Sequence, residues 1–283
     1  MSTGVATRTA LVAGAGSGPD AAARAALAAA LLAVDPVGLG GAVLRAARPD
    51  ATRAWLDALA AMLPEGTPFT RLPIGIPDDR LLGGLDLAMT LATGRPVMER
   101  GLLARSAGGV VVMPSAERAT AGLVGRLGAA LDHAGASCFA LVALDESEPD
   151  EEPVAAALVD RLAFVLEVAP GDATLPFTRE DVGAARALLP RVQVRDAQLA
   201  SLVGAGAALG IASLRAVRHA VRAARACAAL DARDTVQDDD LATAAALVLG
   251  PRATRRPAAE QEAPHDEPPP PPPDAADDTD RSP

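Results

Sequence analysis

Between Asp35 and Val168, short apolar runs alternate with amphipathic segments. Gly40 to Leu44, Phe69 to Ile76, Val110 to Met113, Cys138 to Leu144 and Phe164 to Val168 are brief, apolar runs, which predicts five buried strands. Ala51 to Met62, with Trp55, Leu56, Leu59 and Met62 at helical spacing, Ser115 to His133 and Pro153 to Leu162 predict helices between them. Strands separated by helices favour a mostly parallel sheet covered on both faces. Beyond Phe177 the pattern is helical only. Thr178 with Asp181 has capping-box spacing for a helix Arg179 to Leu189, Ser213 can cap Leu214 to Leu230, and Thr235 or Asp238 can open a last helix ending near Leu249. The expected architecture is α/β: a parallel-sheet core over 21–176, then an all-helical lid over 177–250.

One connection departs from this rhythm. About thirty residues join the second and third strands, far more than the usual link in a compact domain. A connection of that length is expected to be functional, although for any single residue in it a solvated excursion over the sheet explains as much. At the N-terminus, ALVAGAGSGPD offers a strand-like fragment, Gly14, Gly16 and Gly18, and a helix that Asp20 can cap. A dinucleotide fingerprint begun at Gly14 needs its third glycine at position 19, where Pro19 stands, so residues 1–20 read as a flexible arm.

Charge changes the picture at the other end. The net charge is −10, but from Glu260 to Pro283 eight acids face Arg281 alone, which places −7 there and leaves −3 for the rest. That stretch includes Pro268 to Pro273 and almost no large apolar side chain, so residues 251–283 are expected to be a disordered, acidic, proline-rich linker. Cys138 and Cys227 lack CxxC spacing and read as reduced core thiols; with His133, His219 and His265 they form no ligand pattern, so no metal site is expected. No apolar run is long enough to span a bilayer and no signal-peptide pattern opens the chain, so a cytoplasmic location is expected. All 26 basic residues are arginine. A phosphate-binding loop needs a lysine to reach the β- and γ-phosphates, and no position supplies one. In the predicted helix from Leu214, Arg215, Arg218, Arg222 and Arg225 share a face, most simply a solvated basic stripe.

With these elements in place, LPIGIPDDRLLGGLDLAMTLATGRPVMERGLLARSAGGVVVM over 72–113 becomes specific. Leu72, Pro73, Gly75, Asp79, Arg80, Gly83, Asp86, Gly101, Leu102, Leu103, Ala104 and Gly109 match a pattern of the magnesium chelatase AAA+ modules, and similarity extends from about Asp35 to Leu249. Among these modules the chain resembles the N-terminal half of the D subunit rather than the ATP-hydrolysing I subunit. The resemblance implies an AAA+ fold and a helical insert for assembly within the long connection, with Asp79, Arg80, Asp86 and Arg100 as candidate assembly residues. It also places a degenerate nucleotide site at Arg45, Arg48, Pro49 and Thr52, which lack glycine and lysine, and at Pro114 and Ser115, where Asp-Glu would stand. Asp145 and Glu146 replace a polar residue after the next strand and would repel phosphate.

In Leu158-Val159-Asp160-Arg161 the resemblance makes Arg161, with Asp160, a candidate arginine finger acting in trans; a local Asp160–Arg161 ion pair at a helix end is the alternative. Arg215 matches the lid arginine termed sensor 2, here a relic or an interface group. The implied function is that of a non-hydrolysing subunit of an ATP-dependent ligase complex, magnesium chelatase, which inserts Mg²⁺ into protoporphyrin IX in chlorophyll or bacteriochlorophyll synthesis. The implied partners are the I subunit in a ring oligomer and the porphyrin-binding H subunit, without nucleic acid. ATP and Mg²⁺ are used by the complex, and no cofactor is expected on this chain. The family's D subunit continues beyond such a linker into an integrin-type metal-binding domain, whose DxSxS motif does not occur in these residues. Rival readings are an active ATPase of the MoxR kind, a dinucleotide enzyme using Gly14 to Gly18, and a purely structural ring member.

Overall fold

The computed structural model describes residues 19–45, 49–133, 138–148, 150–168 and 177–255. The glycines at 14, 16 and 18, Arg48, His265 and the prolines at 268–273 lie outside the described residues, as does the side chain of Asp20.

Five strands, β1 (Gly41–Arg45), β2 (Phe69–Arg71), β5 (Val110–Met113), β6 (Ala140–Asp145) and β7 (Phe164–Glu167), form one sheet in the order β2-β5-β6-β1-β7. Every pairing in it is parallel. Period-two alternation divides the side chains between two buried faces. Ala42, Leu44, Val142 and Phe164 enter a core shared with helices α1 (Pro19–Val34) and α3 (Pro49–Met62) and with the lid, while Val43, Val111, Leu141 and Val165 enter one beneath α7 (Ala121–Asp132). Between α1 and β1, the single turn α2 (Pro36–Leu39) is capped by Asp35, whose Oδ1 accepts from Gly38 N at 2.9 Å. Gly41 then starts β1 at φ 138°, with a hypothetical Cβ 1.8 Å from Leu141 O, so only glycine fits at this strand crossing.

Aromatic residues make up only 2% of the chain, and the core is built from small side chains that let helices approach closely. Residues 27–33 of α1 are almost wholly buried, and α11 (Leu214–Leu230) buries Ala216, Ala220, Ala223, Ala224 and Ala226. Trp55 on α3 is the large exception; its Nε1 donates to Ala25 O on α1 at 2.8 Å.

The lid comprises α9 (Arg179–Leu188), α10 (Asp196–Ala208), α11 and α12 (Asp238–Ala244), the last continuing into a π-helical turn Ala245–Leu249 and a 3-10 turn Gly250–Arg252. Thr178 and Asp181 form the expected capping box, and Ser213 caps α11.

Several boundaries differ from the sequence expectation. β2 stops at Arg71, with one further ladder bond from Leu72 N to Val112 O, because Pro73 has no N–H to continue it. The helix expected from Ser115 starts only at Ala121, where Thr120 supplies the cap; Ser115 itself has φ 49° and precedes a 3-10 turn. The helix expected over 153–162 is the single turn α8 (Ala156–Val159), which Ala155 cannot cap with its side chain. α10 falls where the sequence offered no strong pattern. Residues 251–255, grouped with the linker by composition, are docked on the lid through Thr254 N and Arg255 N to Leu209 O.

Candidate functional site

In open parallel sheets, ligands bind at the carboxyl ends of the strands. Here that edge carries Arg45, Pro114, Ser115, Asp145 and Glu146. Arg45 stands opposite Asp145 in register, its Nε 3.6 Å from Oδ2 of a carboxylate only 2% exposed. Asp145 Oδ1 also accepts from Ser147 Oγ at 2.6 Å. Ser115 Oγ donates to Glu146 Oε2 at 2.9 Å, and Glu146 N donates to Glu117 Oε2 at 3.1 Å. Three carboxylates therefore meet here, and Arg45 reaches only Asp145. Pro49 is the first residue of α3, and Thr52 faces inward at 7% exposure. Three residues separate β1 from α3, and the eight positions 45–52 that span this step hold no glycine and no lysine. No lysine lies at this edge, and the pocket there is lined by Pro49, Thr52, Arg53, Arg71, Pro114 and Glu146.

A second polar cluster occupies the opposite edge. Arg161 lies in the turn before β7, where Ala163 N donates to Leu39 O just ahead of β1, and α7 runs back to this same amino edge. The length of β1, about 13 Å at the usual rise per residue, separates it from the carboxyl edge. Arg161 Nε and Nη2 donate to Asp132 Oδ2 at 3.0 and 2.6 Å, and Nη1 to Ala157 O at 2.7 Å. Arg215 Nη1 donates to Asp132 Oδ1 at 2.7 Å and its Nε to Asp160 Oδ2 at 3.0 Å, while Ser213 Oγ donates to Asp160 Oδ1. The local Asp160–Arg161 pair is thus replaced by a crossed arrangement, with Asp160 serving Arg215 and Asp132 serving Arg161. Burial would raise the Asp132 carboxyl, but hydrogen bonds and charge from Arg161 and then Arg215 outweigh it and hold it below the usual carboxylate range.

Of the arginines of α11, Arg218 is exposed as a solvated stripe would have it, whereas Arg215, Arg222 and Arg225 are half-buried. Arg222 donates to Gly38 O, and Arg225 donates to Val192 O and Leu189 O at 3.1 and 2.9 Å. Further arginine–carbonyl bonds stitch lid to core at helix ends, where free carbonyls and the dipole favour cations: Arg179 Nε to Ala61 O at 3.1 Å and Arg186 Nε to Ala33 O at 2.6 Å. Arg252 donates to four carbonyls, those of Ala163, Val248, Val159 and Leu162.

On the same helix His219 is 2% exposed and its Nδ1 finds no partner among the described residues. Burial first, then the charges of Arg252, Arg218, Arg222 and Arg215, push its pKa down from 6.5 to about 3. The folded state therefore refuses a proton that the unfolded chain accepts, so stability is retained above pH 6.5 and lost as pH falls towards 3. Between pH 7.5 and 5 this group is expected to cost about 2 kcal/mol, and urea unfolding of His219→Gln is expected to show a correspondingly flatter pH dependence. An unchanged slope would refute the assignment.

The long connection is not purely helical. Strands β3 (Gly83–Leu85) and β4 (Met98–Arg100) pair antiparallel around α5 (Leu87–Thr93), flanked by α4 (Asp78–Leu82) and α6 (Leu102–Arg105). Gly83 and Gly101 pack backbone to backbone, a hypothetical Cβ on Gly101 lying 2.2 Å from Gly83 N. Asp86 caps α5, accepting from Met89 N at 3.0 Å, and Asp79 accepts from Arg80 N at 2.9 Å. Arg80 is exposed and 3.9 Å from Glu99; Arg100 is exposed and its carbonyl accepts from Arg105. The insert presents Leu87, Leu91 and Met98 to solvent at 67, 83 and 70% exposure.

Sequence reasoning missed Asp132, Arg252 and His219. Asp132 reads locally as an ordinary helix end, and only the tertiary approach of the turn at 160–161 and of α11 gives it two partners.

The sheet order, the two-edged distribution of polar groups and the helical lid define the chain as an AAA-type α/β module. Residues 199–271 match the AAA lid domain. The full-length MCM homolog from Methanopyrus kandleri superposes with a TM-score of 0.59 at 17% identity, covering 84% of this chain and 56% of that one, a likeness that speaks to the fold. Within that class the chain is a homologue of the magnesium-chelatase subunits. It is 43% identical to the magnesium-chelatase 60 kDa subunit of Cereibacter sphaeroides over 82% of its own length and 40% of that protein's. With the 38 kDa subunit of the same organism it shares 29% identity over 86% of this chain and 83% of that one. The chain thus spans less than half of its 60 kDa relative. No helix among the described residues is long and apolar enough to cross a membrane.

Proposed function

We propose that this chain is a non-hydrolysing AAA+ subunit of a magnesium chelatase. In this reading it assembles in a ring with an ATP-hydrolysing subunit of the 38 kDa kind and supplies Arg161 to the nucleotide held by that neighbour. The observation that carries the reading is the separation of the two edges: the chain's own carboxyl edge gathers the Asp145, Glu146 and Glu117 carboxylates and has no phosphate-loop lysine, while a pair of partly exposed arginines sits across the sheet from it. A guanidinium brought across an interface to a transferring phosphoryl group stabilises the charge that develops there. Similarity to both the 60 and the 38 kDa subunits supports such a mixed assembly. The complex would use ATP, with Mg²⁺ as its cargo, to drive metal insertion into protoporphyrin IX on a separate porphyrin-binding H subunit in the cytoplasm, in (bacterio)chlorophyll biosynthesis. The exposed apolar side chains of the insert and its Arg80 and Arg100 are suited to assembly contacts.

The test is equilibrium binding of labelled ATP to the chain alone, followed by its addition to an ATP-hydrolysing 38 kDa-type partner. The expected result is no saturable binding by the chain alone and a changed ATP turnover by the partner. Tight binding with hydrolysis by the isolated chain would overturn the reading.

A further inference from the structure

Asp132 is the residue on which the core and lid arginines converge. It ends α7 at the amino edge of the sheet, with 31% of its side chain exposed. One oxygen takes two N–H groups of Arg161, from the core, and the other takes one N–H of Arg215, from the lid. A guanidinium has five N–H donors in a fixed fork. Arg161 uses its Nε, Nη1 and Nη2 once or more here, and Arg215 its Nε and Nη1, so N–H directions remain on both. Their side chains are 22 and 28% exposed, enough for an outside acceptor to reach them. Two guanidiniums held on the two oxygens of one carboxylate stand close enough to serve oxygens of the same or adjoining phosphoryl groups, the anion class that planar, bidentate donors favour. Their own core offers no such group, because its carboxyl edge lies across the sheet.

We propose that Asp132 is a positioning residue that locks Arg161 and Arg215 into one paired donor set directed at the polyphosphate of a nucleotide held by a neighbouring subunit. This rests on the trans-acting reading above. It adds Asp132 as the group that couples the two arginines. If the lid rotates away from α7, Arg215 leaves Asp132 and Arg161 loses its companion, so lid position in this chain sets the competence of the adjoining site.

The test uses the full chain mixed with the ATP-hydrolysing partner, with steady-state ATPase measured against both ATP and chain concentration. Asp132→Asn keeps the shape and removes the charge. It is expected to lower the chain-dependent kcat by up to about a hundredfold, the scale of a misplaced catalytic group, with KM for ATP and the half-saturating chain concentration within about twofold of wild type. Asp132→Glu is expected to recover part of the loss, and both variants to keep a thermal midpoint within a few degrees of wild type. A raised half-saturating concentration with unchanged kcat, the mark of a merely structural role, would overturn the inference, as would a kcat loss that simply tracks a fall in folded fraction. Wild-type stimulation that Asp132→Asn leaves untouched overturns this inference alone. Absence of any wild-type effect on the partner overturns the proposed function and this inference together.

Discussion

Arg161→Ala is expected to abolish the part of the partner's ATP hydrolysis that depends on this chain, leaving the rate of the partner alone. At an interface served by this arginine, loss of the guanidinium removes about 10³ to 10⁵ of rate. Arg161→Lys is expected to restore little, because a single ammonium cannot reproduce the planar fork that engages Asp132 and retains N–H groups for a phosphate. The substitution also frees Asp132 and the carbonyls of Gly128 and Ala157, so a modest fall in thermal midpoint is expected and must be measured alongside. Titrating the partner with wild-type and substituted chain under identical conditions decides the matter. An Arg161→Ala chain that changes partner turnover as wild type does would remove the trans role and leave a scaffold.

The largest effect on stability is expected at Arg252. Its guanidinium donates to the carbonyls of Val159, Leu162 and Ala163 around the turn at Asp160 and Arg161 and to that of Val248 in the lid. Burial, opposed by Asp160 and reinforced by Arg45, lowers its pKa to about 10, so it stays charged at neutral pH. Arg252→Ala removes a charged donor from four carbonyls, of which that of Val159 keeps Leu162 N, for an expected loss of about 3–5 kcal/mol. For a domain of this size that corresponds to a midpoint lower by roughly 10 °C. Calorimetry or urea unfolding reads it directly; a loss below about 1 kcal/mol would show that water replaces the guanidinium freely. The carbonyls that Arg252 holds flank Asp160 and Arg161, so the variant is also expected to weaken stimulation of the partner more than its folded fraction explains.

Much of the core was legible because burial on two faces makes each strand nearly continuous in apolar residues. Val110 to Met113 and Phe164 to Leu166 could not be read otherwise. Caps that depend on one side chain and a neighbouring amide, such as Thr178 with Asp181 and Ser213, were equally plain. α10 was not: glycines at 204 and 206 weaken its helical propensity, and packing of Leu202 and Gly206 against the lid compensates in three dimensions. Arg161 and Arg215 could be nominated through motif similarity, but their shared carboxylate could not, because Asp132 lies 29 residues from one and 83 from the other. The basic stripe misled for a related reason. Spacing places arginines on one face, whereas the carbonyls that receive Arg222 and Arg225 belong to α2 and to the turn after α9.

The three-residue step from β1 to α3 has an evolutionary consequence. A phosphate loop spread over positions 45–52 needs glycine at 45 and 50 and lysine at 51, three substitutions made together, and Pro49 and the buried Ala51 lie within that span. Ala51 faces inward on the helix that carries Trp55 and its bond to Ala25, so a lysine at 51 would have to be accommodated against the core. No single substitution would therefore write such a loop into this step.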